Sequence, residues 1–157
     1  MPSEPSPTLR FVGSAPCLSG LVDPTTLREI PGKLGVTARL GDADEAREFQ
    51  FALDTGSQWS VLRADVASTL GLPVDDVQSV EMKSWRGPVR GPLVPCVPLL
   101  LHATPCPLLV EVTFLVAVDW SGPNVLGWQG ALDKLRFALD PSLGPSDPSF
   151  VYWGRPE

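Results

Sequence analysis

The stretch Phe51-Ala52-Leu53-Asp54-Thr55-Gly56-Ser57 is the most informative segment of the chain. An apolar strand drives the Asp into the interior, and Thr and Gly permit a tight turn directly after it. The hydroxyl group of Ser57 can donate a hydrogen bond to the carboxylate. Asp-Thr-Gly alone arises by chance in about a few per cent of chains, but this apolar context lowers that to roughly one in a thousand. The segment therefore predicts a functional carboxylate at a turn between two strands.

Alternating apolar residues around this segment predict a mainly β fold. Residues 34–40 alternate apolar and other side chains as a half-buried strand does, and residues 49–53 return as its hairpin partner. Further strands are predicted at 59–62, 77–83, 89–94, 97–101, 108–118, 137–139 and 150–153, and short helices at 65–70 and about 129–136. Several short strands at this spacing predict a small closed β-barrel with one or two short helices.

Composition favours one globular domain that binds neither nucleic acid nor membrane. The 157 residues are 43% hydrophobic and 19% charged, which suits one folded core. Residues 1–30 are rich in Pro and Ser and are predicted to form an arm or a linker, partly laid on the domain of residues 31–157, and not a separate fold. The net charge is −6 and the basic residues are scattered, so a basic nucleic-acid face is not expected. No apolar stretch approaches the ~20 residues of a membrane span, and no secretory signal is recognised, so a cytoplasmic protein is expected.

The metal-binding and nucleophilic residue types are sparse. Cys17, Cys96 and Cys106 are odd in number and form no Cys-x-x-Cys pair, so neither a disulfide framework nor a zinc site is expected. His102 is the single histidine, which leaves little basis for a His-dependent nucleophile. The four carboxylates within residues 42–48 lack the spacing and the glycine of a calcium loop. The sequence therefore predicts no metal and no cofactor.

Three ordered features make the chain resemble the retropepsin-like aspartic proteases, the single-lobed relatives of pepsin. The first is Leu53-Asp54-Thr55-Gly56-Ser57, and the second is a glycine-bearing hairpin over residues 84–91, where the family carries its flap. The third is Val125-Leu126-Gly127 before a predicted helix, which looks like the family's apolar-apolar-Gly signature beneath the active-site loop. The resemblance covers roughly residues 34–139 and implies a small closed β-barrel of the acid-protease type.

The resemblance also implies roles for individual residues. Asp54 would be the catalytic carboxylate, and Thr55 would brace two active-site loops against each other. Gly56 would permit close approach of a substrate backbone, and Ser57 would hydrogen-bond the outer oxygen of Asp54. Substrate contacts are expected from the flap and from apolar pockets, through Trp59, Trp85, Arg86 and Gly87.

The chain supplies one Asp-Thr-Gly, whereas the mechanism of this family needs two carboxylates. A symmetric homodimer would supply the second copy of Asp54 at its two-fold axis. Two carboxylates that meet there would share one proton, and the pair would activate a water to hydrolyse a peptide bond. The expected partners are therefore a peptide or protein substrate and a second copy of the chain.

Three departures from the family pattern leave other functions open. Trp128 and Gln129 stand where relatives carry Arg and an Asp or Asn, and Gln58 stands where viral members carry the acidic partner of that Arg. Trp128 itself is predicted to fill the core. An alternative function is therefore a catalytically inactive, protease-like module that binds peptides or serves as a scaffold. A third possibility is a regulated precursor in which residues 1–30 cover the cleft or the dimer face.

Overall fold

A computed structural model describes residues 10–42, 44–84, 86–140 and 149–156, which form two β-sheets. The strands are β1 (Gly13–Pro16), β2 (Leu18–Val22), β3 (Glu29–Leu40), β4 (Arg47–Leu53), β5 (Ser60–Arg63), β6 (Ser79–Ser84), β7 (Gly87–Leu101), β8 (Thr104–Pro105), β9 (Leu108–Ala117), β10 (Asn124–Leu126), β11 (Arg136–Asp140) and β12 (Phe150–Gly154). The prediction of a mainly β chain is confirmed.

Helical structure is limited to two short elements in the described residues. Helix α1 (Ala64–Thr69) agrees with the predicted helix at 65–70. The helix predicted at about 129–136 is wrong in length, because the structure has only a 3-10 turn at Leu132–Lys134. Gly130 has a φ of +75° and Leu135 is extended, so right-handed helix is interrupted on both sides of this turn. Neither helical element is long and apolar enough to cross a membrane.

The larger sheet has the strand order β2-β3-β4-β10-β5-β9-β7-β6. Strand β10 lies between β4 and β5, with Val125 paired in parallel to Ala52 and antiparallel to Val61. Strand β3 also pairs with β7, which closes a ring through β4, β10, β5 and β9. This order brings the end of β4, where Asp54 follows, beside the end of β10.

The segment predicted as an N-terminal arm contributes strands to both sheets. Strand β1 pairs with β12 in the smaller sheet, whose order is β11-β12-β1-β8. Strand β2 pairs with β3, and its Leu21 is buried in the core. Residues 10–30 are therefore hydrogen-bonded to residues 31–157 through both sheets, while residues 1–9 lie outside the described part.

Two apolar clusters lie on opposite faces of the strands that surround the motif. Successive residues of a strand point to opposite faces, so Phe51 of β4 enters the main cluster and Ala52 enters the second. Phe51 packs on Phe114 with ring centroids 6.1 Å apart in the main cluster. The second cluster joins the hairpin β6–β7 to the sheet through these buried side chains: Val61, Met82, Val89, Leu115 and Val125. The strands that flank the motif turn and the hairpin β6–β7 therefore pack on the same apolar cluster.

Candidate active site

Asp54 lies at the first position of the turn that joins β4 to β5. Its backbone N–H donates to the Leu126 carbonyl of β10 at 3.1 Å, and its own carbonyl accepts from the Ser57 N–H at 3.1 Å. The Oδ1 atom of the carboxylate accepts from the Gly56 N–H at 3.0 Å. Asp54 is half-buried, whereas Thr55 and Gly56 are exposed. The turn therefore fixes the carboxylate at the surface of the subunit.

The hydroxyl group of Ser57 does not make the contact that the family resemblance implies. It donates its single proton to the Trp59 carbonyl at 2.8 Å, so that proton is not given to Asp54. The same oxygen lies 3.9 Å from Met82 Sδ in β6. Ser57 therefore holds the motif turn in shape and connects it to the hairpin.

The segment Val125-Leu126-Gly127 lies directly against the motif turn. The N–H of Trp128 donates to the Ser57 carbonyl, and the N–H of Gln129 donates to the Gln58 carbonyl, both at 2.8 Å. A Cβ at Gly127 would overlap the Trp59 carbonyl group and lie 2.9 Å from the Ser57 oxygen. Only glycine permits this approach of the two backbones.

An uncharged side-chain pair joins the same two loops. Gln58 Nε2 donates to Gln129 Oε1 at 3.3 Å, close to the place where the family is expected to use an Arg and an acidic residue. Trp128 is 47% exposed, so the prediction that it fills the core is wrong. The backbone of Trp128 is bound to the motif turn through the Ser57 carbonyl.

Ser60 provides a buried hydrogen bond under this junction. Its Oγ accepts from the Gly127 N–H at 3.0 Å, and the residue is fully buried. In a Ser60→Ala variant that N–H loses its partner away from water, so we expect a loss of about 1–3 kcal/mol in the free energy of unfolding. Urea unfolding checks this, with Ser68→Ala on the exposed face of α1 as the control. Equal midpoints for the two variants would contradict the expectation.

The hairpin β6–β7 lies next to the motif turn, which it contacts through Met82 and Ser57. Its strands pair from Ser79–Pro92 to Ser84–Gly87, and the Ser84 hydroxyl donates to the Gly87 carbonyl at 2.7 Å. Gly87 has a φ of +108°, which favours glycine at this turn. Trp85, a predicted substrate contact, lies outside the described residues. The hairpin therefore carries the predicted flap residue Gly87 at its tip, next to Arg86.

Arg86 connects the hairpin tip to the loop of residues 118–123. Its guanidinium carbon lies 5.7 Å from the centroid of the Trp120 ring, a cation–π distance. The Trp120 indole N–H donates to the Pro123 carbonyl at 2.7 Å, which fixes the ring. Arg86, Gly87 and Trp120 all line a cavity of about 470 Å³ between the hairpin and this loop.

A separate cavity of about 270 Å³ is lined in part by Asp54. Its walls combine the motif turn, the hairpin and the neighbouring loop through these residues: Asp54, Gly56, Ser57, Val61, Met82, Lys83, Ser84, Trp120 and Val125. Asp54 therefore lines the same cavity as an apolar floor, formed by Val61, Met82 and Val125, and as strand β6 of the hairpin. An extended peptide could place a side chain on such a floor and its backbone along the hairpin.

The tryptophan that lines the cavity beside Asp54 is Trp120, which the sequence did not single out as a substrate contact. Trp59 packs on the second apolar cluster and is not among the residues that line the cavity beside Asp54. Trp120 lines both cavities. The available signal was its place in the Asp119-Trp120-Ser121-Gly122 turn, which repeats the strand–turn pattern of the motif.

The turn before β3 braces the same loop from the N-terminal side. Thr25 Oγ1 donates to the Ser121 carbonyl at 3.0 Å. The backbone N–H groups of Thr26 and Thr25 hydrogen-bond Asp23 and lower the pKa of its carboxyl group, and the positive charge of Arg86 acts in the same direction. The β2–β3 turn and the hairpin tip therefore both converge on residues 119–123.

Among the residues that line the cavity beside the motif turn, Asp54 carries the carboxylate. Among the residues that the structure describes, no group of three or more His, Cys, Asp or Glu side chains could hold a metal ion. Asp119 lines the cavity next to Arg86 and not the one next to Asp54.

No protein-family model matches this chain, and a search of curated proteins finds no significant match to it.

Proposed function

We propose that this protein is an aspartic endopeptidase of the retropepsin-like type, whose active site is completed by a second copy of the chain. The observation that carries the proposal is the position of Asp54. It follows β4 at a turn bound to β10, and Asp54 lines a cavity that strand β6 of the hairpin also lines. One subunit thus supplies one carboxylate of the proposed pair, together with an apolar floor and a hairpin strand along which an extended peptide could bind.

The strand arrangement supports the same proposal. The ring through β3, β4, β10, β5, β9 and β7 suits a small closed barrel of the acid-protease type. The insertion of β10 between β4 and β5 holds the Asp-Thr-Gly turn against Gly127, as the resemblance implies for the two signatures.

The proposed mechanism uses two copies of Asp54 that share one proton. The ionised member takes a proton from a water molecule, and the protonated member hydrogen-bonds the scissile carbonyl oxygen. The water oxygen then adds to the carbonyl carbon, and the tetrahedral adduct breaks its C–N bond as the amine is protonated. Neither a metal nor a covalent enzyme intermediate takes part.

The second candidate function is a peptide-binding module without turnover. The observation that favours it is the Gln58–Gln129 pair, because it leaves the two loops joined without the charged residues expected of active relatives. Such a module would keep the cavity under the hairpin and bind extended peptides, but it would not bring two carboxylates together.

Subunit mixing tests the shared active site. We expect that a growing excess of Asp54→Asn protein suppresses peptide hydrolysis by a fixed amount of wild type, because wild-type subunits are drawn into mixed dimers with one carboxylate. Activity per wild-type subunit should fall in proportion to the wild-type fraction. An equal mass of an unrelated protein is the control. Activity that is unaffected by the variant would exclude a site shared between exchanging subunits.

A further inference from the structure

We propose that the outer edge of strand β9 is a docking site for an extended, acidic segment of another polypeptide, which would add to the sheet as a further strand. This site, the β9 edge, consists of residues 108–111 together with the basic side chains of Lys134 and Arg155. None of these residues lines either cavity beside the hairpin β6–β7. The inference therefore stands independently of the proposed hydrolysis.

Strand β9 has an open side along residues 108–112. Strand β7 pairs with this part of β9 on one side, whereas β5 on the other side pairs with residues 114–117. Glu111 is opposite Pro98 of β7, and the Pro98 carbonyl accepts an N–H from the turn after β3, away from β9. The backbone groups of Glu111, and of Leu109 two residues earlier, are therefore directed away from β7. Among the described strands, none occupies this side.

Two basic side chains cover the carbonyl groups of the β9 edge. Lys134 Nζ donates to the Glu111 carbonyl at 2.8 Å, and Arg155 Nη2 donates to the Leu109 carbonyl at 3.3 Å. Charged side chains at an edge discourage the addition of a neutral or basic strand. An acidic strand removes this protection, because its carboxylates can bind the two cations while its N–H groups take over the two carbonyls.

Charge complementarity indicates that the occupant is acidic. The chain carries a net charge of −6, yet four of its twelve basic residues occur at or next to the β9 edge. Lys134 and Arg155 line its cavity, Arg136 pairs with Gly154 in β12, and Arg10 lies against Gly154. None of the ion pairs found among the described residues involves these four side chains. Their charges are therefore available to a partner.

The same charges disfavour two other occupants. Glu111 and Asp133 are the acidic residues of these segments, so the four basic residues leave an excess of positive charge. A second copy of the chain joined edge to edge would bring two such basic groups together, which costs free energy. A nucleic acid would be repelled by the excess acidic charge of the rest of the chain, and its binding would not use an open strand edge.

An apolar floor accompanies the edge. A cavity of about 360 Å³ beside β9 is lined by Leu108, Leu135 and Pro156 in addition to the basic side chains. Leu109 also lines this cavity and is 53% exposed, so it leaves apolar area in water. Apolar side chains of an added strand would pack on Leu109, as directly opposed residues of neighbouring strands do. An occupant in which acidic and apolar residues alternate therefore matches the β9 edge.

Fluorescence anisotropy tests the docking site with a defined probe, a labelled peptide of alternating Glu and Val. The full chain carries Asp54→Asn in every sample, so that cleavage cannot consume the probe. We expect saturable binding that weakens with added salt, because salt screens the attraction between carboxylates and cations. The same peptide with Gln in place of each Glu should bind about 10-fold more weakly. Absence of binding, or equal affinity for the two peptides, would show that Lys134 and Arg155 only protect the edge.

Charge reversal locates the bound peptide. Lys134→Glu combined with Arg155→Glu should raise the dissociation constant by about 10-fold or more, because it places like charges beside the acidic strand. Arg28→Glu combined with Arg47→Glu is the matched control, since it changes the net charge equally at exposed positions outside the β9 edge. It should leave the dissociation constant nearly unchanged. Equal effects of the two double variants would place the peptide elsewhere and overturn the proposal.

A backbone variant tests strand addition itself. Leu109→Pro removes an N–H that is directed away from β7, so pairing with β7 is kept while the edge loses a donor. We expect binding of the acidic peptide to weaken by about 10-fold. Wild-type affinity would exclude strand addition. Circular dichroism checks folding, and the charge-reversal variants decide if Leu109→Pro unfolds. A single-stranded oligothymidylate that binds the β9 edge more tightly than the peptide would also overturn the proposal.

Discussion

The Asp54→Asn variant is expected to lose peptide hydrolysis, with kcat/KM falling by about 10³-fold or more. An amide cannot take a proton from water and cannot transfer one to the tetrahedral adduct, so the acid–base chemistry of the carboxylate pair is lost. The fold should persist, because Asn keeps an oxygen that can accept from the Gly56 N–H as Oδ1 does at 3.0 Å. Hydrolysis of a peptide library, followed by mass spectrometry, is the measurement.

The control for Asp54→Asn is Asp133→Asn, which changes an exposed carboxylate in the 3-10 turn. It should retain wild-type activity. Wild-type activity should be strongest on the acidic side of neutral, because the carboxylate pair must keep one shared proton. If Asp54→Asn and wild type cleave alike across the pH range, Asp54 is not catalytic. Binding of extended peptides without cleavage by either protein would favour the peptide-binding module.

The Gly127→Ala variant is expected to lose about 3 kcal/mol in the free energy of unfolding, and hydrolysis with it. The added methyl group would overlap the Trp59 carbonyl and press on the Ser57 oxygen, 2.9 Å away. Both atoms belong to backbone, so neither can yield by rotating a side chain. The motif turn must move away from residues 127–129, which disrupts the two 2.8 Å hydrogen bonds that join them.

Gly71→Ala is the control for Gly127→Ala. No atom lies within 4 Å of a Cβ at Gly71, so the cost there is that of a left-handed backbone, about 1 kcal/mol. Urea unfolding measures both variants. A loss at Gly127 no larger than the loss at Gly71 would show that the two loops separate easily, which would contradict the packing described for this junction.

The local pattern of the sequence predicted the strands and the turn of the motif. Strand β4 and the following Asp-Thr-Gly turn were predictable because an apolar run, an acid and a glycine occur consecutively. The pairing of β10 between β4 and β5 was not predictable from local pattern alone, since it joins residues about seventy positions apart. The resemblance supplied that expectation by pairing the motif with Val125-Leu126-Gly127.

The differences between the predicted and the observed strands and cavity residues have local physical causes. Residues 89–94 and 97–101 were predicted as separate strands because Pro95 and Cys96 interrupt the apolar pattern. The structure has one strand, β7, in which a register shift between Val94 and Val97 accommodates the interruption and Cys96 has a φ of +58°. The sequence could not show which of Trp59 and Trp120 lines the cavity beside Asp54, because both follow a strand. Only tertiary packing decides that.

The parallel pairing of β10 with β4 has a consequence for how the molecule assembles. The Asp54 N–H donates to the Leu126 carbonyl, so the motif turn cannot acquire its final geometry until residues 124–127 have been synthesised and inserted between two earlier strands. Contacts of such large sequence separation slow folding. Nascent chains that end before residue 124 would leave the facing edges of β4 and β5 unpaired. Chaperones would bind the chain in this state, because unpaired strand edges promote aggregation.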